Sequence, residues 1–269
     1  MRSRLLRTCA GLATAGLLLS ACADDDEPDN GDEVATGELE LVSEGQLTVC
    51  SDVPYPPFEF EDDEAPSGYS GFDIDLVQEI ADRLDLELVV LETGFDGLQS
   101  GATLAAGQCD LAASAMTILE ERAENLNFSD PYYDAEQSLI VLADSGISGL
   151  EDLAGEALGV QGQTTGADYA EDNAPDDTEI VEFDQGPDIY TGMLAGQVAA
   201  GLQDLPVNLE RAEEDDRFEV VETFETGEHY GFAAALDNDE LIDAVNEHLD
   251  AMRDDGTYDE IYDRYFAID

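Results

Sequence analysis

The chain has 269 residues, 43% of them apolar, which suits two ordinary domains or one large one around a packed core. It carries 66 acidic residues against nine arginines and no lysine, for a formal net charge of −57. That balance excludes nucleic acid, which is bound by neutralising phosphates with Lys and Arg, and excludes adhesion to an anionic membrane through a basic patch.

Self-repulsion at this charge destabilises a compact state in dilute buffer and relaxes as salt screens it. The loss of every lysine in favour of Asp and Glu is therefore read as adaptation to high salt, with compositional drift as the alternative. Unfolding followed across salt concentrations checks this. Stability is expected to rise from dilute buffer to molar salt, and a chain equally stable in both contradicts the reading.

In chain order, MRSRLLR gives a positive start and TCAGLATAGLLLS an apolar stretch too short to span a bilayer comfortably. LSAC follows, resembling the lipobox of bacterial lipoproteins, in which the signal is cleaved before a lipidated cysteine, here Cys22. Ordinary signal cleavage near Ala21 is the alternative. Residues 23–45 are dense in Asp and Glu and contain no aromatic, the composition of an extended, self-repelling tether. An EF-hand reading of the acidic run fails, since no glycine falls at the required loop position and Pro28 interrupts it.

From residue 46 the pattern alternates. QLTVCS is a strand ending at the PYPPF turn, and GFDIDLVQEIADRL places Ile74, Val77, Ile80, Ala81 and Leu84 at helical spacing. LELVVLE reads as a strand, GLQSGATLAAG as a helix and CDLAASAMT as a buried strand. SLIVLAD (138–144) is apolar and suited to cross between two units. The alternation restarts with ALGVQG, then helix TTGADYAED, strand TEIVEF, helix DIYTGMLAGQ, strand VAAGLQ, helix PVNLERAEE and strand RFEVVE. HYGFAAALD (229–237) is a second crossing candidate, and NDELIDAVNEHLDAMRDD and YDEIYDRYF are amphipathic helices. Such alternation predicts βαβ units with mainly parallel sheets. The only histidines, His229 and His248, are far apart and lack cysteine partners, so the sequence calls for no metal and no cofactor.

LTVCSDVPYPPFEF, GYSGFDIDLVQEIADRL, GFDGL, SAMTILEERAENLNFSDPYY, VQGQTTGADY and LQDLP occur in an order that resembles the polar amino acid-binding proteins of bacterial ABC importers, the family-three extracellular solute-binding proteins. The resemblance covers residues 46 to 269. It implies an α/β fold, a two-lobed periplasmic-binding-protein-like clamp of type II, with a mainly parallel sheet flanked by helices in each lobe and a two-strand hinge. The expected division is a lipoprotein signal at 1–21, a tether at 22–45, a first lobe at 46–138 and 231–269, and a second lobe at 139–230.

The resemblance also implies site roles. Arg122 matches the family's carboxylate-binding arginine, whose planar fork suits bidentate capture; the alternative is a surface arginine offsetting Glu120, Glu121 and Glu124. Ser114 and Thr117, with the main chain of Ala115, match groups that contact the amino acid backbone, though either hydroxyl could merely cap a turn. Thr164 and Thr165 would complete the carboxylate site at a helix N-terminus. The family usually has glycine before the two threonines; here Gln163 stands there and could reach the ligand itself. Asp204 matches the ammonium-binding carboxylate, and Tyr55 and Phe95 match aromatic walls that could equally be core. Asp52 aligns with a residue that in some members meets a cationic side chain, a hint of a basic or amide ligand.

Cys50 and Cys109 fall on or beside neighbouring strands of the implied fold, either bridged or as two buried thiols; a bridge would stabilise the lobe by roughly 3–4 kcal/mol. The implied role is binding without catalysis by a monomer, lipid-anchored on the outer face of the cytoplasmic membrane, that hands a polar L-amino acid to an ABC permease and its ATPase subunits. Two rivals stand beside it. One is a cyclohexadienyl dehydratase-like enzyme on the same scaffold, for which no distinctive acid–base pair is visible. The other is a sensory surface lipoprotein.

Overall fold

A computed structural model describes residues 39–267, so the expected signal segment, Cys22 and most of the expected tether lie outside the described residues. Residues 39–42 of the segment expected as a tether lie against the first core. Leu39 and Leu41 pack half-buried against the first core, and the Val42 N–H donates to an Asp110 carboxylate oxygen at 2.6 Å. Two leucines in an acidic run supply the apolar area that anchors it.

The first sheet orders its strands β4 (Glu87–Glu92), β1 (Gln46–Ser51), β5 (Leu111–Ala112), β12 (Ala233–Ala235) and β6 (Leu126–Phe128). β1 runs parallel to β4 and β5, whereas β12 is antiparallel to both of its neighbours. The second sheet orders β11 (Phe218–Tyr230), β7 (Tyr133–Leu142), β10 (Ala200–Asp204), β8 (Ala157–Gln161) and β9 (Glu179–Phe183). There β10–β8 and β8–β9 are parallel, and β7 is antiparallel to β10 and β11. Both sheets are therefore mixed rather than mainly parallel. The βαβ units build the parallel halves, and the strands that return between lobes enter antiparallel.

The strands buried on both faces are nearly continuous apolar runs, as in β1, buried from Leu47 to Ser51. Helix α1 (Phe72–Arg83) turns Phe72, Ile74, Leu76, Val77, Ile80 and Ala81 into the core. It starts at Gly71, with φ 123°, where a Cβ would lie 2.2 Å from the Phe58 carbonyl oxygen, so no side chain fits. The single helix expected over 97–107 is two short ones, α2 (Phe95–Gln99) and α3 (Ala102–Ala105), because Gly101 adopts a left-handed conformation, φ 76°, between them. The strand expected over 109–117 is reduced to Leu111–Ala112 and a separate antiparallel bridge from Thr117 to Tyr230, and α4 (Glu120–Ala123) and the small β2–β3 pair (Phe60–Glu61, Tyr69–Ser70) were not foreseen.

The second sheet is flanked by α5 (Thr165–Asn173), α6 (Gly186–Leu194) and α7 (Leu205–Glu214). Helices α8 (Asp239–Asp255) and α9 (Thr257–Phe266) return to the first core. The chain crosses between the sheets twice, at 129–132 and at 231–232. These segments lie side by side, with the Ser129 N–H on the Phe232 carbonyl and the Tyr132 N–H on the Tyr230 carbonyl. SLIVLAD is thus not the crossing itself but the middle and end of β7, inside the second sheet, and the expected lobe boundary at 138 falls within that strand. RFEVVE and the start of HYGFAAALD are one long strand, β11. Cys50 and Cys109 are joined by a disulfide, Cα atoms 5.8 Å apart, across a sequence separation of 59.

Candidate functional site

The C-terminal ends of strands in both sheets face one cavity, the position at which open α/β sheets present ligand contacts. Its lining includes Asp52, Tyr55, Phe95, Ser114, Ala115, Thr117, Arg122, Thr164, Thr165 and Asp204, so ten of the eleven residues picked out in the sequence meet in one place. Gln163 is the exception. It does not line the cavity, and its side-chain oxygen accepts from Gln99 Nε2 at 3.4 Å on the exposed side. Its contribution is its main chain, since the Gln163 carbonyl accepts from Arg122 at 3.1 Å. Gln163 has φ 65°, the left-handed region that favours glycine. Ala115, φ 43°, is held in the same way. Two non-glycine residues with positive φ beside one cavity are local strain maintained by the surrounding fold.

Arg122 is buried, 5% exposed, on the four-residue helix α4. Its guanidinium lies 5.2 Å from the centre of the Phe95 ring and donates to the Thr117 and Gln163 carbonyls. Among the described residues no carboxylate lies within ion-pair distance of it. Burial lowers its pKa, opposed by the charges of Glu228, Asp168, Asp204 and Glu121. The reading of Arg122 as a surface arginine paired to its glutamate neighbours is overturned.

Asp204 ends β10, 9% exposed, and accepts from the Tyr55 hydroxyl at 2.6 Å and Gln137 Nε2 at 2.5 Å. Burial raises its pKa to about 6, helped by the charge of Glu228 and opposed by the hydrogen bonds from Tyr55 and Gln137. Tyr55 therefore spans the cleft to Asp204 rather than serving only as a wall, and its own pKa is pushed well up by burial and by that carboxylate. One cavity thus holds a buried cation and a buried anion, neither paired with an opposite charge among the described residues. A buried charge without a partner is costly, so this arrangement suits a small zwitterion that pairs both.

Ser114 is positioned from behind. Its hydroxyl accepts from the Asp52 N–H at 3.0 Å and donates to Glu59 at 2.6 Å, while the Ala115 N–H donates to Asp73 at 2.8 Å. Glu59 and Asp73 are both fully buried. Burial raises both pKa values, Glu59 strongly and with a further push from the charge of Asp73, and Asp73 to about 7. Thr164 caps α5, its hydroxyl accepting from the Ala167 N–H at 3.2 Å, so the capping and lining roles coexist.

The Asp52 carboxylate, also in the lining, accepts from Gln161 Nε2 at 2.7 Å, an interlobe contact, and burial raises its pKa. Gln137, Gln161, Gly166 and Gln203 also line the space and were not singled out in the sequence. The side-chain carbonyls of Gln137 and Gln203 are buried with no hydrogen-bond partner among the described residues. A glutamine at the end of an otherwise apolar strand, as in LGVQ and AGLQD, was the available signal. Among the described residues no cluster of His, Cys, Asp and Glu is arranged to hold a metal ion.

Residues 47–268 match the model of the bacterial extracellular solute-binding proteins, family 3. The chain is 30% identical over 233 residues to the histidine-binding periplasmic protein of Escherichia coli (strain K12), covering 83% of this chain and 88% of that protein. It is 31% identical over 208 residues to the ABC transporter glutamine-binding protein GlnH of Bacillus subtilis (strain 168), covering 74% and 73%. Among solved structures, an ancestral arginine-binding protein bound to glutamine superposes with a TM-score of 0.77 at 34% identity, covering 84% of this chain and 100% of that one. These relatives are named for binding rather than for catalysis. The chain belongs to the bacterial extracellular solute-binding proteins of family 3.

Proposed function

We propose that this chain is the substrate-binding lipoprotein of an ABC-type importer, capturing a polar L-amino acid between its lobes and delivering it to a membrane permease with ATPase subunits. The observation that carries the reading is the pair Arg122 and Asp204, buried in one cavity without opposite-charge partners among the described residues. Arg122 takes the ligand carboxylate with a bidentate fork, aided by main-chain N–H groups at the start of α5, and Asp204 takes the ammonium. Thr117, Thr164 and Thr165 shape the carboxylate end, and Tyr55 and Phe95 flank the side chain. The importer role is supported by the name of the glutamine-binding relative, and lipid anchoring through Cys22 rests on the LSAC motif.

The acceptors of the lining select the ligand. Gln137 and Gln203 carry carbonyl oxygens without a partner among the described residues, and Asp52 carries a carboxylate that Gln161 already contacts, a lining rich in acceptors that is satisfied by a side chain carrying N–H donors. A basic or amide amino acid fits it better than an acidic or aliphatic one. Relatives and neighbours named for histidine, glutamine and arginine are consistent with that class. Because both lobes contribute contacts, the ligand favours the closed arrangement and so drives hinge closure.

A thermal-shift screen of the twenty amino acids in high salt tests this. Arginine, lysine, histidine, glutamine or asparagine is expected to raise the melting temperature by several degrees at millimolar concentration. No shift with any of the twenty sinks the amino acid reading; a shift confined to acidic or aliphatic ones sinks the specificity.

A further inference from the structure

Gln203 and Asp204 end β10 and, as consecutive strand residues, point to opposite faces of the second sheet. Gln203 shares the face of Gly201, where an added Cβ would meet Ile189 and Met193 of α6. β10 and β8 run parallel with Gly201 opposite Gly159, and that register continued by two residues sets Gln203 beside Gln161, the partner of Asp52. Gln203 therefore belongs to the wall that carries Asp52, not to the side where Asp204 waits for an ammonium.

The two ends of an amide side chain are nearly equal in shape, so its partners decide which end faces a cavity. Asn208 and Ser138, both fully buried, and Tyr190 decide it for Gln203. The main-chain carbonyls of Ser138 and Gln203 can only accept. Asn208 Nδ2 donates to them at 3.2 and 3.4 Å, and to the Ser138 hydroxyl at 2.9 Å, whose own proton goes to the Gln203 carbonyl at 3.2 Å. Asn208 Oδ1 is thereby turned to the Gln203 side chain, whose Nε2 donates to it at 3.2 Å and to the Tyr190 hydroxyl at 2.5 Å. The Tyr190 hydroxyl passes its own proton to Asn208 Oδ1, 3.1 Å away. Turning the Gln203 amide over would set its oxygen against Asn208 Oδ1, two acceptors with no proton between them.

Gln203 Oε1 is left buried, without a partner among the described residues, in the lining of the cavity. A Cβ built on Gly186 would stand 2.9 Å from it and 3.0 Å from the Tyr55 ring, so the bare glycine at the start of α6 leaves room beside this carbonyl.

We propose that Gln203 is a specificity-determining residue and that Asn208 and Tyr190 are positioning residues, which lock its amide so that it offers the ligand side chain an acceptor and no donor. The proposal rests on the amino acid reading and deepens it. A side chain ending in N–H groups satisfies the carbonyl, whereas one ending in a carboxylate sets acceptor against acceptor and is rejected.

Two measurements on the full chain in high salt test this. The first needs no ligand: the side-chain NH2 of Gln203 is followed by NMR with isotope-labelled glutamine and assigned by its disappearance in Gln203→Leu. Its protons are expected to exchange with solvent at least roughly tenfold more slowly than those of exposed glutamines, and Asn208→Leu is expected to remove the protection. The second compares the affinities of glutamine and glutamate by calorimetric displacement of the amino acid that thermal shift identifies. Gln203→Leu is expected to bind glutamine roughly tenfold more weakly. Asn208→Leu is expected to lower the glutamine-to-glutamate ratio roughly tenfold, because the freed amide turns its N–H groups to the carboxylate. Asp52 repels glutamate in every variant alike, so the change in ratio belongs to Gln203. Tyr190→Phe removes one of the two partners of Nε2, is expected to lower the ratio by less, and serves if Asn208→Leu does not fold.

A merely structural role weakens both ligands equally and leaves the ratio where it was, and that result overturns the proposal. So does Gln203→Leu that binds glutamine within about threefold of wild type. A Gln203 NH2 that exchanges freely in the wild type sinks the lock whether or not a ligand is found. Melting that no amino acid shifts sinks the amino acid reading instead, and the exchange measurement still decides the lock.

Discussion

Arg122→Ala is expected to abolish measurable amino acid binding while leaving the fold intact. Taking one partner from a buried, hydrogen-bonded charge pair costs about 3–5 kcal/mol, two to four orders of magnitude in affinity, because the other charge is left buried and alone. Here the orphan would be the ligand carboxylate. The fold tolerates the loss because Arg122 forms no ion pair among the described residues and its burial is itself unfavourable. What it gives up is two hydrogen bonds to main-chain carbonyls and its place over Phe95. Calorimetric titration with the amino acid that shifts wild-type melting is the check, with the melting temperature of the empty variant as control. An affinity within threefold of wild type refutes the assignment. Arg122→Lys keeps the charge but loses the fork, and is expected to fall between the two.

Acidification is expected to weaken binding below pH 6, through Asp204. Its pKa is about 6, above the ordinary value of 3.8, because burial penalises the charged form and Glu228 adds to the penalty. The sign follows from linkage. Between pH 4 and 6 the folded empty protein holds a proton that the unfolded chain has released, so this group's contribution to stability falls as pH rises through that window. An ammonium placed against the carboxylate favours the ionised form, so binding releases the proton below pH 6 and affinity drops by up to about tenfold per pH unit there. Above pH 6 Asp204 is already ionised and its contribution is flat. Titrations in buffers of different ionisation enthalpy are expected to register proton release at pH 5 and little at pH 7.5 from this group. Asp73, whose pKa is about 7, and Glu59 titrate on the opposite side, behind Ser114 and Ala115. Asp204→Asn separates them, since it is expected to weaken binding at neutral pH and remove the step near pH 6. A step that persists in Asp204→Asn belongs to those two acids and contradicts the assignment.

Local pattern carried most of the architecture. β1, α1, β4, β8, α5, β9, α6, β10, α7, α8 and α9 all lie where apolar periodicity places them, because each buries one face or stripe whose spacing is written in consecutive residues. Residue order around motifs also carried ten positions of the cavity, among them Arg122 and Asp204. What neighbouring residues cannot encode is pairing at a distance. The mixed character of the sheets arises because β7 and β12 return antiparallel after crossing between lobes, and neither strand's own residues report its direction. Gln163 read as a ligand contact from its place beside Thr164, yet a left-handed φ turns its side chain outward and leaves only its carbonyl, on Arg122. Glu59, Asp73 and Glu228 were invisible among 66 acids, because an acid acquires significance only from what surrounds it. Burial sets the first two apart, and the Thr117 and Thr165 hydroxyls on one carboxylate oxygen set apart the third. Composition and periodicity thus decide which segments form and which face each buries. Which charges are left without partners, and therefore what the cleft will hold, is decided only when segments more than a hundred residues apart, such as those of Thr117 and Glu228, come into contact.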